Sequence, residues 1–129
     1  MRVNRRGSER IVMVTAASEE QAETIGRALV AEQLAACVNI VGPIRSIYRW
    51  AGKIEDEREY LMIIKSRAAL FPDLESRVRE LHTYEVPEVL SLALDSGSAP
   101  YLDWIRQSTQ PVRARRSPTK AVRPAGRKR

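Results

Sequence analysis

"AACVNIVGPIRSIYRWAGKIEDEREYLMIIKS", residues 35–66, decides the fold. Two long β-rich runs flank the turn "WAGK", which contains Gly52, so the stretch reads as an extended antiparallel hairpin. Pro cannot donate to a sheet ladder, so Gly42-Pro43 predicts a bulge or bend in the first of the two strands. In the second strand Ile54 stands among charges, and the apolar run Tyr60 to Ile64 follows. The hairpin should therefore be buried at its base and carry a charged, protruding tip.

Working outward, "RIVMVTA" (Arg10 to Ala16) reads as a buried strand. Ser18 and Gln21 have capping-box spacing, and Glu19 and Glu20 suit the positive end of a helix. Ile25, Leu29 and Leu34, with Ala22 and Val30, form an apolar stripe that carries this helix to about Leu34. Downstream of the hairpin, Leu70, Leu74, Val78 and Leu81 mark a second helix. Pro72 fits only a first turn, which sets its start near Leu70. "VPEVLSLALDSG" is a fourth strand starting at Pro87. "SAPYLDWIRQS" is a short last helix with Tyr101, Leu102 and Ile105 inward and Trp104 partly so. No repeat at solenoid period is present.

The order β-α-β-β-α-β plus a terminal helix is the split βαβ, a ferredoxin-like α+β plait with both main helices on one face of an antiparallel sheet. A one-sided sheet should alternate apolar and polar residues. "IVMV", "LMII" and "VLSLAL" are instead apolar on both faces. No further element is evident to cover the second face, so a second copy of the chain is the expected cover, with the hairpin supplying strand pairing between subunits.

The chain has 129 residues, enough for one domain with a core. Its net charge of +6 is unevenly spread. "VRARRSPTKAVRPAGRKR" (Val112 to Arg129) carries eight Lys/Arg and no acid, and Arg2, Arg5 and Arg6 add three more at the other end. Residues 10–111 hold 11 basic and 15 acidic residues, about −4. The chain divides into a basic flexible start (1–9), a folded domain (10–109) and a basic tail (110–129). The tail has too little apolar surface to offset its ordering entropy and is expected to be disordered. Cys37 is the single cysteine, so no intrachain disulfide can form, which suits the cytoplasm. Neither a signal peptide nor a membrane span is evident.

In order and spacing, "LAACVNI", "SIYRWAGKIE", "LMIIKS" and "LHTYEVPEVLSLAL…YLDWI" closely resemble the CutA family of divalent-cation tolerance proteins. The resemblance covers roughly Ile11 to Gln107. It implies a ferredoxin-like subunit, a tight homotrimer similar in architecture to the PII signalling proteins, a cytoplasmic location, and a link to copper and other divalent metals. Three positions depart from the family pattern. Ala51 stands where an acid is usual in the hairpin turn. Val14 stands where some copper-linked members have Cys, and Leu81-His82 replaces a His-His pair.

The candidate metal ligands are His82, Cys37 and Glu85. His82 is the only histidine and lies in "ELHTYEVPE"; it reads either as a ligand with Glu85, Glu88 or Tyr84, or as a polar residue at a helix C-terminus. Cys37 suits Cu(I) as a thiolate, or serves as a small core hydrophobe. The run "EDERE" (Glu55 to Glu59) offers hard oxygen ligands, or a solvated charged face. Tyr48, Trp50, Lys65 and Tyr84 are candidates for a small-ligand cleft between subunits. The functional expectation is a non-enzymatic trimer in metal tolerance, binding copper or another divalent cation. The alternatives are a PII-like small-ligand sensor and a trimeric interaction module. No P-loop, GxGxxG, HExxH, GxSxG or paired-cysteine motif is present. The tail lacks aromatic residues, which argues against specific nucleic-acid recognition and leaves weak polyanion binding through charge.

Overall fold

The computed structural model describes residues 8–111. The basic segments on either side, including the tail expected to be disordered, lie outside the described residues. The elements in chain order are β1 (Glu9–Ala16), α1 (Glu19–Ala31), β2 (Cys37–Trp50), β3 (Lys53–Arg67), a single 3-10 turn (Ala68–Leu70), α2 (Phe71–Leu81), β4 (Val89–Ala93) and α3 (Ala99–Gln107). The four strands form one sheet in the order β2-β3-β1-β4, antiparallel at every junction. This is the α+β plait expected from the element order.

Helix α1 begins where the capping signal puts it, with the Ser18 hydroxyl accepting from the Gln21 N–H at 3.1 Å. It stops at Ala31, three residues short of the expected end. Leu34 N–H bonds to Leu29 C=O and Gln33 N–H to Val30 C=O, with Gln33 at φ 61°. That pairing is a Schellman motif with Gln33 in the left-handed position usually held by Gly. Leu34 remains buried although it has left the helix. Helix α2 starts at Phe71 with Pro72 in its first turn.

Val12 and Val14 on β1 pair with Ile64 and Met62 on β3, and all four are fully buried. They pack with Ala22, Ile25 and Leu29 of α1 and Leu74 and Val78 of α2 into one core. The alternate residues face the other way: Ile11 and Met13 of β1 lie between Lys65 and Ile63 of β3 and Leu92 and Leu90 of β4. That second face is only partly covered, and the cover at one end was missed in the sequence: α3 lies against it. Arg106 pairs with Glu9, and Arg67 donates to Thr109 Oγ1 at 2.9 Å. Leu102 and Ile105 are buried, but Tyr101 is 44% exposed, against the expectation that it packs inward. Beyond α3, Leu90 and Leu92 stay 56% and 50% exposed.

The hairpin outgrows the sheet. Strand β1 ends opposite Tyr60, so residues 44–59 of β2 and β3 pair only with each other. The predicted irregularity is present as a register shift between Val41 and Ile44. A Cβ on Gly42 would sit 2.5 Å from the Tyr60 ring, so only glycine fits there. The turn has Ala51 at φ 52° and Gly52 at φ 81°, the two positive angles of a tight hairpin turn. Alanine in that conformation is strained by about 1–2 kcal/mol, whereas Asn tolerates it. Ala51→Asn should therefore stabilise the hairpin by about 0.5–1 kcal/mol, read as a raised urea midpoint; a lowered midpoint would count against this turn geometry.

Candidate functional site

Three places carry the predicted site residues. The first is the corner where α2 ends. His82 caps that helix and is 3% exposed. Its Nε2 lies 2.8 Å from the Thr15 carbonyl oxygen, and its Nδ1 lies 3.0 Å from the Tyr84 backbone nitrogen. A carbonyl can only accept and an N–H can only donate, so the ring is the neutral Nε2–H tautomer with both nitrogens engaged. The Tyr84 ring tilts over the imidazole at 4.6 Å between centroids, and its hydroxyl donates to Glu59 at 2.8 Å. Glu59 is 1% exposed. As one of the five residues of "EDERE" it was read as part of a solvated face. Its place one residue before the apolar run of β3, where the strand enters the body, was the available signal. Glu85 is exposed, so it and His82 do not share a buried site.

The second place is the start of β2. Cys37 pairs with Lys65 in the sheet register and is half-buried. Its sulfur lies 4.0 Å from Lys65 Nζ and 3.9 Å from Asn39 Oδ1, and Lys65 also bonds to Asn39. Tyr101 of α3 stands close by: partial burial raises its phenol above the ordinary value, and charge on Cys37 adds to the effect. Thr15, which holds His82, is opposite Leu61, and Cys37 is opposite Lys65. Four residues of strand separate these positions, about 13 Å. Cys37 and His82 of one chain therefore cannot bind one ion together.

The third place is the free hairpin. Tyr48 donates to Glu57 at 2.9 Å, and Trp50 is half-buried beside the turn. Arg45 holds Asp56 by two hydrogen bonds at 2.9 and 2.8 Å. The hydrogen bond from Arg45, helped by its charge, keeps the Asp56 carboxyl below the ordinary carboxylate range in spite of slight desolvation. This pair thus persists above the ordinary Asp range and is lost as pH falls through the lowered value. An open groove of about 400 Å³ runs between Pro43, Ile44, Arg45, Asp56, Glu57 and Arg58. Lys65 lies ten residues along β3 from Glu55, the partner of Tyr48, about 33 Å away. Tyr48, Trp50, Lys65 and Tyr84 therefore do not line one cleft within the chain.

Among the described residues no three His, Cys, Asp or Glu side chains converge to hold a metal ion. Within the described residues Cys37 is half-buried and Glu85 is exposed.

Comparison with known proteins places this geometry in a family. Residues 10–108 match the family described as CutA1 divalent ion tolerance protein. The "Divalent-cation tolerance protein CutA" of Thermus thermophilus is 48% identical over 101 residues, covering 78% of this chain and 98% of that one. Human "Protein CutA" is also 48% identical, over 106 residues, but this chain spans only 59% of its length. The solved Thermus thermophilus structure superposes with a TM-score of 0.78 over 79% of this chain and 99% of that one. CutA from Synechococcus elongatus, at 34% identity, superposes with the same score over 84% of this chain and 95% of that one. The buried and paired positions just described thus sit on a shared scaffold: this chain belongs to the CutA1 divalent ion tolerance family.

Proposed function

We propose that this chain serves tolerance to divalent metal ions as a non-catalytic homotrimer in the cytoplasm, binding copper or another divalent cation. Family membership over residues 10–108 supports the metal link. The observation that carries the trimer is the apolar surface left on a single subunit. Leu90 and Leu92 on the sheet, and Ile47 and Ile54 at 64% and 69% exposure on the hairpin, have no cover within the described residues. An isolated two-stranded ribbon is marginal in water. Docked against other copies, it gains both packing and edge-strand partners.

Cys37 is the favoured soft ligand, while His82 acts as a structural pin, and Glu85, exposed on the surface, stays a candidate for a harder divalent cation. A non-catalytic role is supported by the engagement of the one imidazole with backbone groups at both nitrogens. A cytoplasmic location is supported by the unpaired cysteine, and no helix among the described residues is long and apolar enough to cross a membrane. Relatives are named for other places: one from Archaeoglobus fulgidus is titled periplasmic and one from Arabidopsis thaliana chloroplastic.

Titration of Cu(I) under reducing conditions tests the ligand. Cys37→Ser should weaken binding by at least ~10-fold, as loss of a metal contact does. Equal affinities for parent and variant would remove Cys37 from the site. The groove at the hairpin base favours a second reading, a small anionic or zwitterionic ligand held against Arg45 and Arg58 where subunits meet. Retained copper affinity in Cys37→Ser, together with loss of a bound organic ligand in Arg58→Ala, would favour it.

A further inference from the structure

We infer that the groove at the hairpin base is a binding site for a small phosphate monoester, an assignment that rests on the organic-ligand reading above and is independent of the metal reading. Arg58 and Arg45 hold the phosphoryl group, and Pro43 and Ile44 receive the organic part. The two faces of the free ribbon differ in charge. Arg45, Ile47, Arg49, Ile54, Asp56 and Arg58 alternate along one face, and all six are exposed. Tyr48, Trp50, Glu55 and Glu57 stand on the other face and are half-buried. Residues 8–111 hold 11 basic and 16 acidic residues, so the body is acidic as a whole. The exposed face of the ribbon nevertheless carries three Arg against one Asp.

Arg45 and Arg58 stand directly opposite each other in the strand register. Residues so placed have Cβ atoms about 4.5–5.5 Å apart, and like charges there destabilise a hairpin. Asp56 offsets only one of them. It lies opposite Ile47 and accepts from Arg45 Nε and Nη2. Glu57 accepts from Tyr48 on the other face. Arg58 therefore has no carboxylate partner among the described residues. A ribbon built for stability alone would set opposite charges at this rung. A local rule broken without compensation marks a functional position.

Shape and chemistry together select the ligand. The groove, at about 400 Å³, has the volume of a small-molecule site, and a bare phosphate leaves most of it empty. Arg58 offers its whole fork, and Arg45 offers Nη1, which Asp56 leaves unengaged. One Arg fork already saturates a planar carboxylate. Two guanidinium groups converging from opposite strands suit a tetrahedral oxyanion with more oxygens to share. Asp56 and Glu57 also line the groove and repel a second anionic group, which disfavours a dicarboxylate or a polyphosphate. Pro43 and Ile44 leave an apolar wall for the rest of the molecule.

The test is calorimetric titration of the full chain with phenyl phosphate, inorganic phosphate and succinate at low salt. Phenyl phosphate should bind with a Kd of about 1 mM or tighter. It should bind at least about 3-fold tighter than inorganic phosphate, because its ring is buried on Pro43 and Ile44. Arg58→Ala should weaken it by about 10-fold or more through loss of charge-assisted hydrogen bonds. Asp56→Asn removes a repelling charge and releases Arg45, so it should tighten binding, which mere damage to the hairpin would not do. Unchanged affinity in Arg58→Ala, or weaker binding in Asp56→Asn, overturns the assignment of these residues. Succinate binding more tightly than phenyl phosphate overturns the phosphate class and leaves the organic-ligand reading standing. No heat of binding with any of the three overturns both.

Discussion

Leu90→Lys combined with Leu92→Lys should leave a folded chain that sediments at 14.6 kDa, where the parent, if it assembles as proposed, should sediment at three times that mass. Both leucines are half exposed on the single subunit, so the substitutions leave the core of Val12, Val14, Met62 and Ile64 intact. The far-ultraviolet spectrum should hardly change. If copies of the chain meet on this face as proposed, the same positions are covered, and each buried lysine without a partner costs several kcal/mol after relaxation. Two per subunit place six such charges in one assembly. Obligate interfaces of this kind bury about 2,000 Å² or more, a few tens of kcal/mol of gross apolar burial at about 25 cal/mol per Å². That total is eroded mostly by ordering costs, so six unpaired charges are enough to reverse the sign of association. Sedimentation equilibrium at micromolar concentration decides it. A parent that remains monomeric, or a double variant that still gives the triple mass, would show that this face is not where copies meet.

The fold was legible because local signals and global pattern agreed. Ser18 opened α1 in the sequence and does so in the structure, Pro72 set the first turn of α2, and Gly42-Pro43 marked the register shift. Helix α3 was harder. Its apolar residues were recognised, but which face it covers depends on Arg106 meeting Glu9 across 97 residues, and periodicity holds no such information. The same limit applied to the candidate sites. Cys37 and His82 were both candidate ligands because both residue types bind copper, yet strand register puts Cys37 about 13 Å along the sheet from Thr15, the residue that holds His82. Glu59 looked solvated because its neighbours are charged. It is buried because β3 enters the body there, and Tyr84 arrives from 25 residues further on to bond it. Composition shows which side chains can do chemistry, whereas contacts distant in sequence decide which of them meet.

His82→Ala should cost about 2–4 kcal/mol of stability and leave copper affinity unchanged. Read as a helix-end residue, the histidine would contribute only about 0.3–1 kcal/mol through the dipole. The structure raises that figure because the ring joins three elements. Its Nε2–H donates to Thr15 at the end of β1, its Nδ1 accepts from Tyr84 in the loop before β4, and its backbone N–H closes α2 on Val78. Alanine keeps only the last of these. The Thr15 carbonyl and the Tyr84 N–H then each lose one buried hydrogen bond, at about 1–3 kcal/mol per bond, less whatever water enters the gap. Tyr84 also loses the ring it leans on, which loosens its hydroxyl from Glu59. His82→Gln keeps an amide that can donate and accept, and should recover part of the loss. Urea unfolding at one fixed protein concentration measures the difference, because the midpoint of an oligomer depends on concentration. Copper titration of the same variants gives the second readout. A loss below about 1 kcal/mol would show that the ring serves the helix end alone. A copper affinity that collapses in His82→Ala, with the fold still intact by the urea midpoint, would make the imidazole a ligand that exchanges Thr15 or Tyr84 for the metal.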